Sequence, residues 1–361
     1  MDINVPRIPL ETQALYAELL EQLAILEVQR SIGSLTGGFT LKKIKCEYYV
    51  YFQYFSPGGN RQQKYVGKLT PVLQSMIDQH QQEKDFYQAD LQSIHRLCTQ
   101  VSVGGGMTIP HAPFRVLQSL ANSGVFRLGG VLVGTHAFSV IGNMLGFRWE
   151  SAGLMTHDID ISIDRNLSVA IPSLPNTDIP ETLEQLKMGF SPVPKLNLKN
   201  PSTSYRVRNS PLRLDLLTPS RTRDEDYKSV PIKQLKAAAQ ALHYLDYLIE
   251  GSMQAVALSR KDGTLVNVPD PARFALHKLI IAQERPAIEH AKRNKDYRQA
   301  SLLIDLLIEE RPSDLQSAWS TLKNHGESWT EKALTGYQAA LRNPRFAPVL
   351  SLEDFLQSVE A

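Results

Sequence analysis

The sequence predicts a mixed α/β protein of the α+β kind. It should hold a core sheet with flanking helices, preceded by an N-terminal β-hairpin module and followed by a mostly helical C-terminal domain. Three observations carry that expectation. Helical and strand periodicities alternate between residues 104 and 217, which implies a layered sheet with helices packed on it. An aromatic strand, a turn rich in Ser, Pro, Gly and Asn, and a return strand make the hairpin. Beyond Pro231 the 3.6-residue pattern dominates. The corresponding domains are 1–100, 101–232 and 233–361.

At 361 residues the chain can bury substantial cores without staples. Its 39 basic and 37 acidic residues give a net charge of +2, so any affinity for nucleic acid must come from local patches. Cys46 and Cys98 form no metal-ligand spacing and fit a reducing cytoplasm. Residues 1–10 lack a basic-then-apolar secretory pattern. The longest uncharged run, 128–147, is broken by Gly129, Gly130, Gly134, His136, Gly142 and Asn143, too polar for a membrane span. A soluble, cytoplasmic protein is the expectation.

In chain order, leucines at 10, 15, 19, 20, 23 and 26 predict a packing helix over 10–30. Residues 41–55 read as one long strand, 56–60 as a turn and 61–66 as the return strand. Lys43, Lys45, Tyr49 and Tyr51 would share a face of that strand, where basic and aromatic residues can grip nucleic acid; a packing sheet with lysines at its rim is the favoured alternative. Thr70-Pro71 opens a helix running toward Lys84, because threonine caps and proline suits the first turn. Gly104-Gly105-Gly106 breaks the chain and is read as a connector. A helix over 113–121, a strand over 130–133 and a helix over 135–145 follow. After the acidic strand come a helix over 180–188 and the strand pair 205–208 and 212–217. The C-terminal domain should contain one helix over 233–249, a hairpin about Asp262-Gly263, a helix over 272–283 and three or four more helices.

Candidate chemistry centres on residues 155–164, where acids and isoleucines alternate. Successive side chains of a strand face opposite ways, so Asp158, Asp160, Ser162 and Asp164 share one face while Ile159, Ile161 and Ile163 share the other. Carboxylates this close repel unless a cation intervenes or one is protonated. Two hard ions such as Mg²⁺ would resolve the repulsion and could drive phosphoryl or nucleotidyl transfer. Gly134-Thr135 places a glycine and a hydroxyl where a strand becomes a helix, a geometry that lets a phosphate approach. Asp215, with Leu214 and Leu216 facing away from it, supplies a third acid if its strand adjoins the first. His157 neighbours the acids but alternates to the other face, and His136 and His277 read as satisfied core histidines.

The order of glycine-hydroxyl turn, Asp-Ile-Asp and a later single aspartate resembles the DNA polymerase β-like nucleotidyltransferase superfamily over residues 130–217. By position the resemblance implies that Gly134 and Thr135 touch the triphosphate, and that Asp158, Asp160 and Asp215 hold two Mg²⁺ ions. Thr135 stands where serine is usual. Residues 268–279, then Lys292-Arg293-Asn294-Lys295-Asp296 and Gln299-Ala300, resemble bacterial nucleotidyltransferase-like proteins that include toxins of toxin–antitoxin and abortive-infection systems. The hairpin ending Lys64-Tyr65-Val66-Gly67 is similar to the N-terminal module of one such group. That likeness implies that Lys278 and the basic cluster of Lys292 and Lys295 face nucleotide phosphates and that Asp296 holds the lysine in place. It further implies an NTP substrate, an RNA or protein acceptor and a cognate antitoxin. A non-catalytic protein with this core, binding nucleic acid or a partner protein, is the rival from another class.

Overall fold

The computed structural model describes residues 5–28, 37–55, 61–149, 156–165, 177–194, 201–343, 348 and 350–360. The turn expected at 56–60 and residues 150–155 lie outside the described residues. Helix α1 (Leu10–Val28) buries Thr12, Tyr16, Leu19 and Leu23, one helical stripe. Strands β1 (Gly38–Ile44), β2 (Glu47–Phe55) and β3 (Arg61–Lys68) form an antiparallel sheet. The single strand expected over 41–55 is therefore two, and the reason is local: Lys45 and Cys46 both take positive φ, 47° and 68°, and fold the chain into a two-residue hairpin turn. The break also re-sorts the faces. Lys42 pairs with Tyr49, whereas Lys43 pairs with Tyr48 on the opposite face, so Lys43 does not share the face of Tyr49 and Tyr51, and Lys45 lies in the turn outside the ladder.

Helix α2 (Pro71–Val103) begins as expected, with the Leu73 N–H donating to Thr70 Oγ1 at 3.2 Å, but runs 33 residues rather than stopping near Lys84. It ends at the triple glycine, where Gly104 packs so closely on Thr12 that a Cβ would collide with it.

The main sheet has seven strands: β4 (Val131–Val133), β5 (Asp158–Ser162), β6 (Phe190–Pro192), β7 (Ser204–Val207), β8 (Arg213–Pro219), β9 (Ser229–Ile232) and β10 (Ala237–Leu242). β5, β8 and β10 run parallel, while β4 is antiparallel to β5 and β9 to β10. The first half of β8 lies between β5 and β7. Residues 233–249, expected as one helix, are instead a 3₁₀ turn, β10 and the short helix α6 (Leu245–Ile249). The alanine-rich run suits a helix locally, yet its buried residues complete the sheet, so tertiary packing outweighs propensity.

Helices α3 (His111–Asn122), α4 (Gly134–Leu145) and α5 (Ile179–Gln185) flank this sheet, and α7 (Pro271–Glu284), α8 (His290–Glu310), α9 (Pro312–Asn324), α10 (Glu327–Leu341) and α11 (Leu352–Glu360) follow. One continuous hydrophobic core runs from Ile159, Ile161 and Leu214 of the sheet through Phe274 and Leu279 of α7 to Leu303 and Trp319. A smaller core joins α1 and the end of α2 to the hairpin of β11 (Met253–Leu258) and β12 (Gly263–Val268). No helix among the described residues is long and apolar enough to cross a membrane.

Candidate active site

Three acids lie together because strand register aligns them. β5 and β8 pair in parallel with Asp160 directly opposite Asp215, and Asp158 sits two residues earlier on the same face of β5. Neighbouring strands lie about 4.8 Å apart, so Asp160 and Asp215 are adjacent carboxylates. The isoleucines alternate inward: Ile159 and Ile161 are fully buried, while Asp158 is exposed and Asp160 half-buried. On the other side of β5, Val133 of β4 pairs with Asp160, so the next residue, Gly134, is brought against that carboxylate. Gly134 has φ of +70°, and a Cβ there would come within 2.4 Å of Asp160 Oδ2. Only glycine fits both the bend and the approach. Thr135 follows in the first turn of α4, half-buried.

Burial, then the charges of Asp215 and Asp158, push the Asp160 carboxyl up to about 7, against the pull of Lys278 and Arg213. Burial and the two neighbouring acids thus outweigh the lysine and arginine at this carboxyl. Asp215 is already held: Arg213 Nε donates to its Oδ1 at 2.9 Å, and Ser204 Oγ, its register partner on β7, donates to the same oxygen. Arg213 in turn donates to Ser204 Oγ at 3.0 Å. Among the described residues no three His, Cys, Asp or Glu side chains converge tightly enough to hold a metal ion. The donor chemistry nonetheless fits one, because Asp158 and Asp160 offer hard oxygens and the raised Asp160 carboxyl reports an unmet demand for positive charge.

Two lysines approach from the C-terminal helices. Lys278 of α7 is buried and donates to Asp296 Oδ1 at 2.7 Å, and Arg285 Nε pairs with the other oxygen, Oδ2. Burial opposes the Asp296 charge, yet Lys278 and Arg285 together hold its carboxyl below the usual range. Lys295 of α8 is lowered by burial and by Lys278, and lies within the fields of Asp158 and Asp160. Buried His136 is pushed down to about 4 by desolvation, then by Lys295 and His157, so it is neutral; its Nε2 has no protein partner. His277, lowered to about 3 chiefly by burial, has no partner at either nitrogen among the described residues. Both are core histidines, but neither is satisfied as the sequence reading expected. A separate cleft of about 790 Å³, lined in part by Lys187, Phe190, Tyr205 and Lys236, contains none of these acids. Volume without the charged cluster does not make it the reacting centre.

A nucleotidyltransferase family model matches residues 111–323, well over half of the chain and all of the cluster just described. The chain belongs to this nucleotidyltransferase family. No curated protein matches it. A solved structure, an antigenic nucleotidyltransferase-like protein from Paracoccidioides brasiliensis, is similar at 12% identity with a TM-score of 0.32, covering 63% of this chain and 95% of that one.

Within this nucleotidyltransferase, Gly134, Thr135, Asp158, Asp160, Asp215, Lys278, Lys295 and Asp296 fall on the elements bordering the acid face, whereas Lys292 is exposed and pairs with Glu289 at 3.3 Å. Sequence reasoning passed over Arg213, Ser204 and Arg285. Arg213 was legible in principle, since residues i and i+2 of a strand share a face. Ser204 was not, because its position depends on how β7 registers on β8. Arg285 lies beyond the last turn of α7 and meets Asp296 only through helix packing.

Proposed function

We propose that this nucleotidyltransferase moves a nucleoside monophosphate from an NTP to an acceptor hydroxyl and releases pyrophosphate, with Mg²⁺ as its metal. The reading rests above all on one observation: Asp160, flanked by Asp215 in register and by Asp158, is driven up to about 7 while packed against the glycine bend that opens α4. Asp158 and Asp160 would hold the metal, with Asp215 joining them. Two bound Mg²⁺ ions would supply charge neutralisation at the triphosphate and at the attacking oxygen.

The chain's own residues supply the rest. Gly134 leaves room for the Asp160 carboxylate, so that its own backbone and the Thr135 hydroxyl can meet the phosphate oxygens beside that acid. Asp215, oriented by Arg213 and Ser204, accepts the proton of the incoming hydroxyl. Lys278 and Lys295 offset the charge that grows on the leaving pyrophosphate, and Asp296 fixes Lys278 in a buried rotamer. The favoured acceptor is RNA, a tRNA end included, with protein hydroxyls second. The toxin-like sequence resemblance supports a growth-restraining role held in check by a cognate antitoxin.

Incubating the purified protein with each α-labelled NTP, Mg²⁺ and total RNA or protein tests the reading. Label should pass to a macromolecule in wild type, whereas Asp158→Ala should stop the transfer and leave the fold intact. Transfer that persists in the folded variant rules out the assignment. RNA binding with steep salt dependence and no Mg²⁺-stimulated turnover would establish the non-catalytic rival instead.

A further inference from the structure

The N-terminal sheet has a charge and a surface that the core site does not use. Between Gly38 and Lys68 the chain carries six basic residues, Lys42, Lys43, Lys45, Arg61, Lys64 and Lys68, against one acid, Glu47. This segment is thus net +5 in a protein that is +2 overall, so the remainder is net negative. A local electrostatic footprint of this size attracts a polyanion.

The two faces of the sheet differ. One carries Phe39 and Phe52, whose rings meet His80 of α2 at 5.1 and 6.2 Å, and fully buried Val50. That face packs. Register places Lys42, Tyr49, Tyr51 and Tyr65 on the other. Tyr51 and Tyr65 lie 5.4 Å apart, Tyr49 and Tyr65 6.3 Å, and Lys42 Nζ sits 4.7 Å over the Tyr51 ring. Tyr65 is 54% exposed. Arg61 pairs with Phe55 and Lys68 with Tyr49 across the ladder, setting a cation at one end of the tyrosine row and the Lys68–Glu47 ion pair at the other. Flat rings between cations form a surface on which unpaired bases stack while the backbone phosphates meet charge. A duplex would hide its base faces from those rings.

We propose that this outward face of β1–β3 docks an unpaired RNA strand whose end serves as the acceptor. The inference rests on the transferase reading for the role of that end, but binding can be measured without turnover. The sheet attaches to the first half of α2, where Lys84 Nζ donates to the Gly37 carbonyl at 3.1 Å, while the last third of α2 packs in the smaller core. A helix of 33 residues is roughly 50 Å long, so the platform stands out from the core on a spacing that suits a long substrate.

Fluorescence anisotropy with the full chain tests the proposal, using labelled oligouridylate of roughly 20 nucleotides, oligothymidylate and a blunt RNA duplex of equal length. Oligouridylate should bind at least about tenfold tighter than the duplex, and the Tyr51→Ala/Tyr65→Ala variant should lose about tenfold or more. The Tyr51→Phe/Tyr65→Phe variant should retain binding because the rings remain. Lys42→Ala should lower the salt dependence by about 0.7 in slope. Equal binding of the duplex, tighter binding of oligothymidylate, or a double-alanine variant that melts and binds like wild type would each overturn the proposal. Intact RNA binding without any transfer counts against the catalytic reading alone. Transfer to a short acceptor without binding of the long strand counts against this surface alone.

Discussion

Gly134 meets two demands at once: its φ of +70° lies in the left-handed region, and Asp160 Oδ2 occupies the space a side chain would need. Gly134→Ala should therefore cost about 1–2 kcal/mol from the backbone alone and displace the Asp160 carboxylate, lowering kcat far more than thermal stability. Urea unfolding paired with a transfer assay separates the two losses. Asp160 yields a pH prediction. Its folded pKa, about 7, lies above the unfolded carboxylate value, so the native state binds the proton more tightly. Its contribution to stability is complete below about pH 4 and is lost as pH rises through about 7. Metal-free Asp160→Asn should melt about 2 °C or more above wild type at pH 8, with little difference at pH 4. Mg²⁺ should raise the Tm of wild type at pH 8 and leave that of the variant nearly unmoved. A Tm gap that is constant with pH would remove the electrostatic basis of the site. The acid pair was legible in the sequence because alternation alone puts Asp158 and Asp160 on one face. Asp215 joined them only through the family resemblance, since its adjacency depends on a strand more than fifty residues away.

At the level of elements, the buried link between α7 and α8 stands on Asp296, which neutralises both Lys278 and Arg285. Asp296→Ala leaves Lys278 buried without its counter-charge and should destabilise the protein by about 3–5 kcal/mol, measurable by urea unfolding. The Lys45-Cys46 turn offers the opposite sign. Both residues hold positive φ that Asn and Gly adopt with less strain, so Lys45→Asn with Cys46→Gly should slow hydrogen exchange in β1 and β2. Element boundaries explain where the sequence reading failed. Residues 45 and 46 carry no glycine, asparagine or proline to mark a turn, so β1 and β2 read as one strand. Residues 237–242 are mostly alanine, whose helical propensity hid β10 until its pairing with β8 and β9 was known. By contrast the Thr70 cap, the acidic strand and the β11–β12 hairpin each had a local signal, and each formed.

Across the whole molecule, helices, sheet and C-terminal bundle share one core, and that continuity brings α7 and α8 to the acid face. Residues from 134 to 296 thus build one site although no short segment contains it. The most direct test is a crystal structure of the protein with Mn²⁺ and a non-hydrolysable NTP, read by anomalous scattering. The account predicts a manganese peak coordinated by Asp158 and Asp160, with the triphosphate against Gly134 and Thr135 and near Lys278 and Lys295. A nucleotide seated elsewhere, or a triphosphate with no metal at the aspartates, would contradict it.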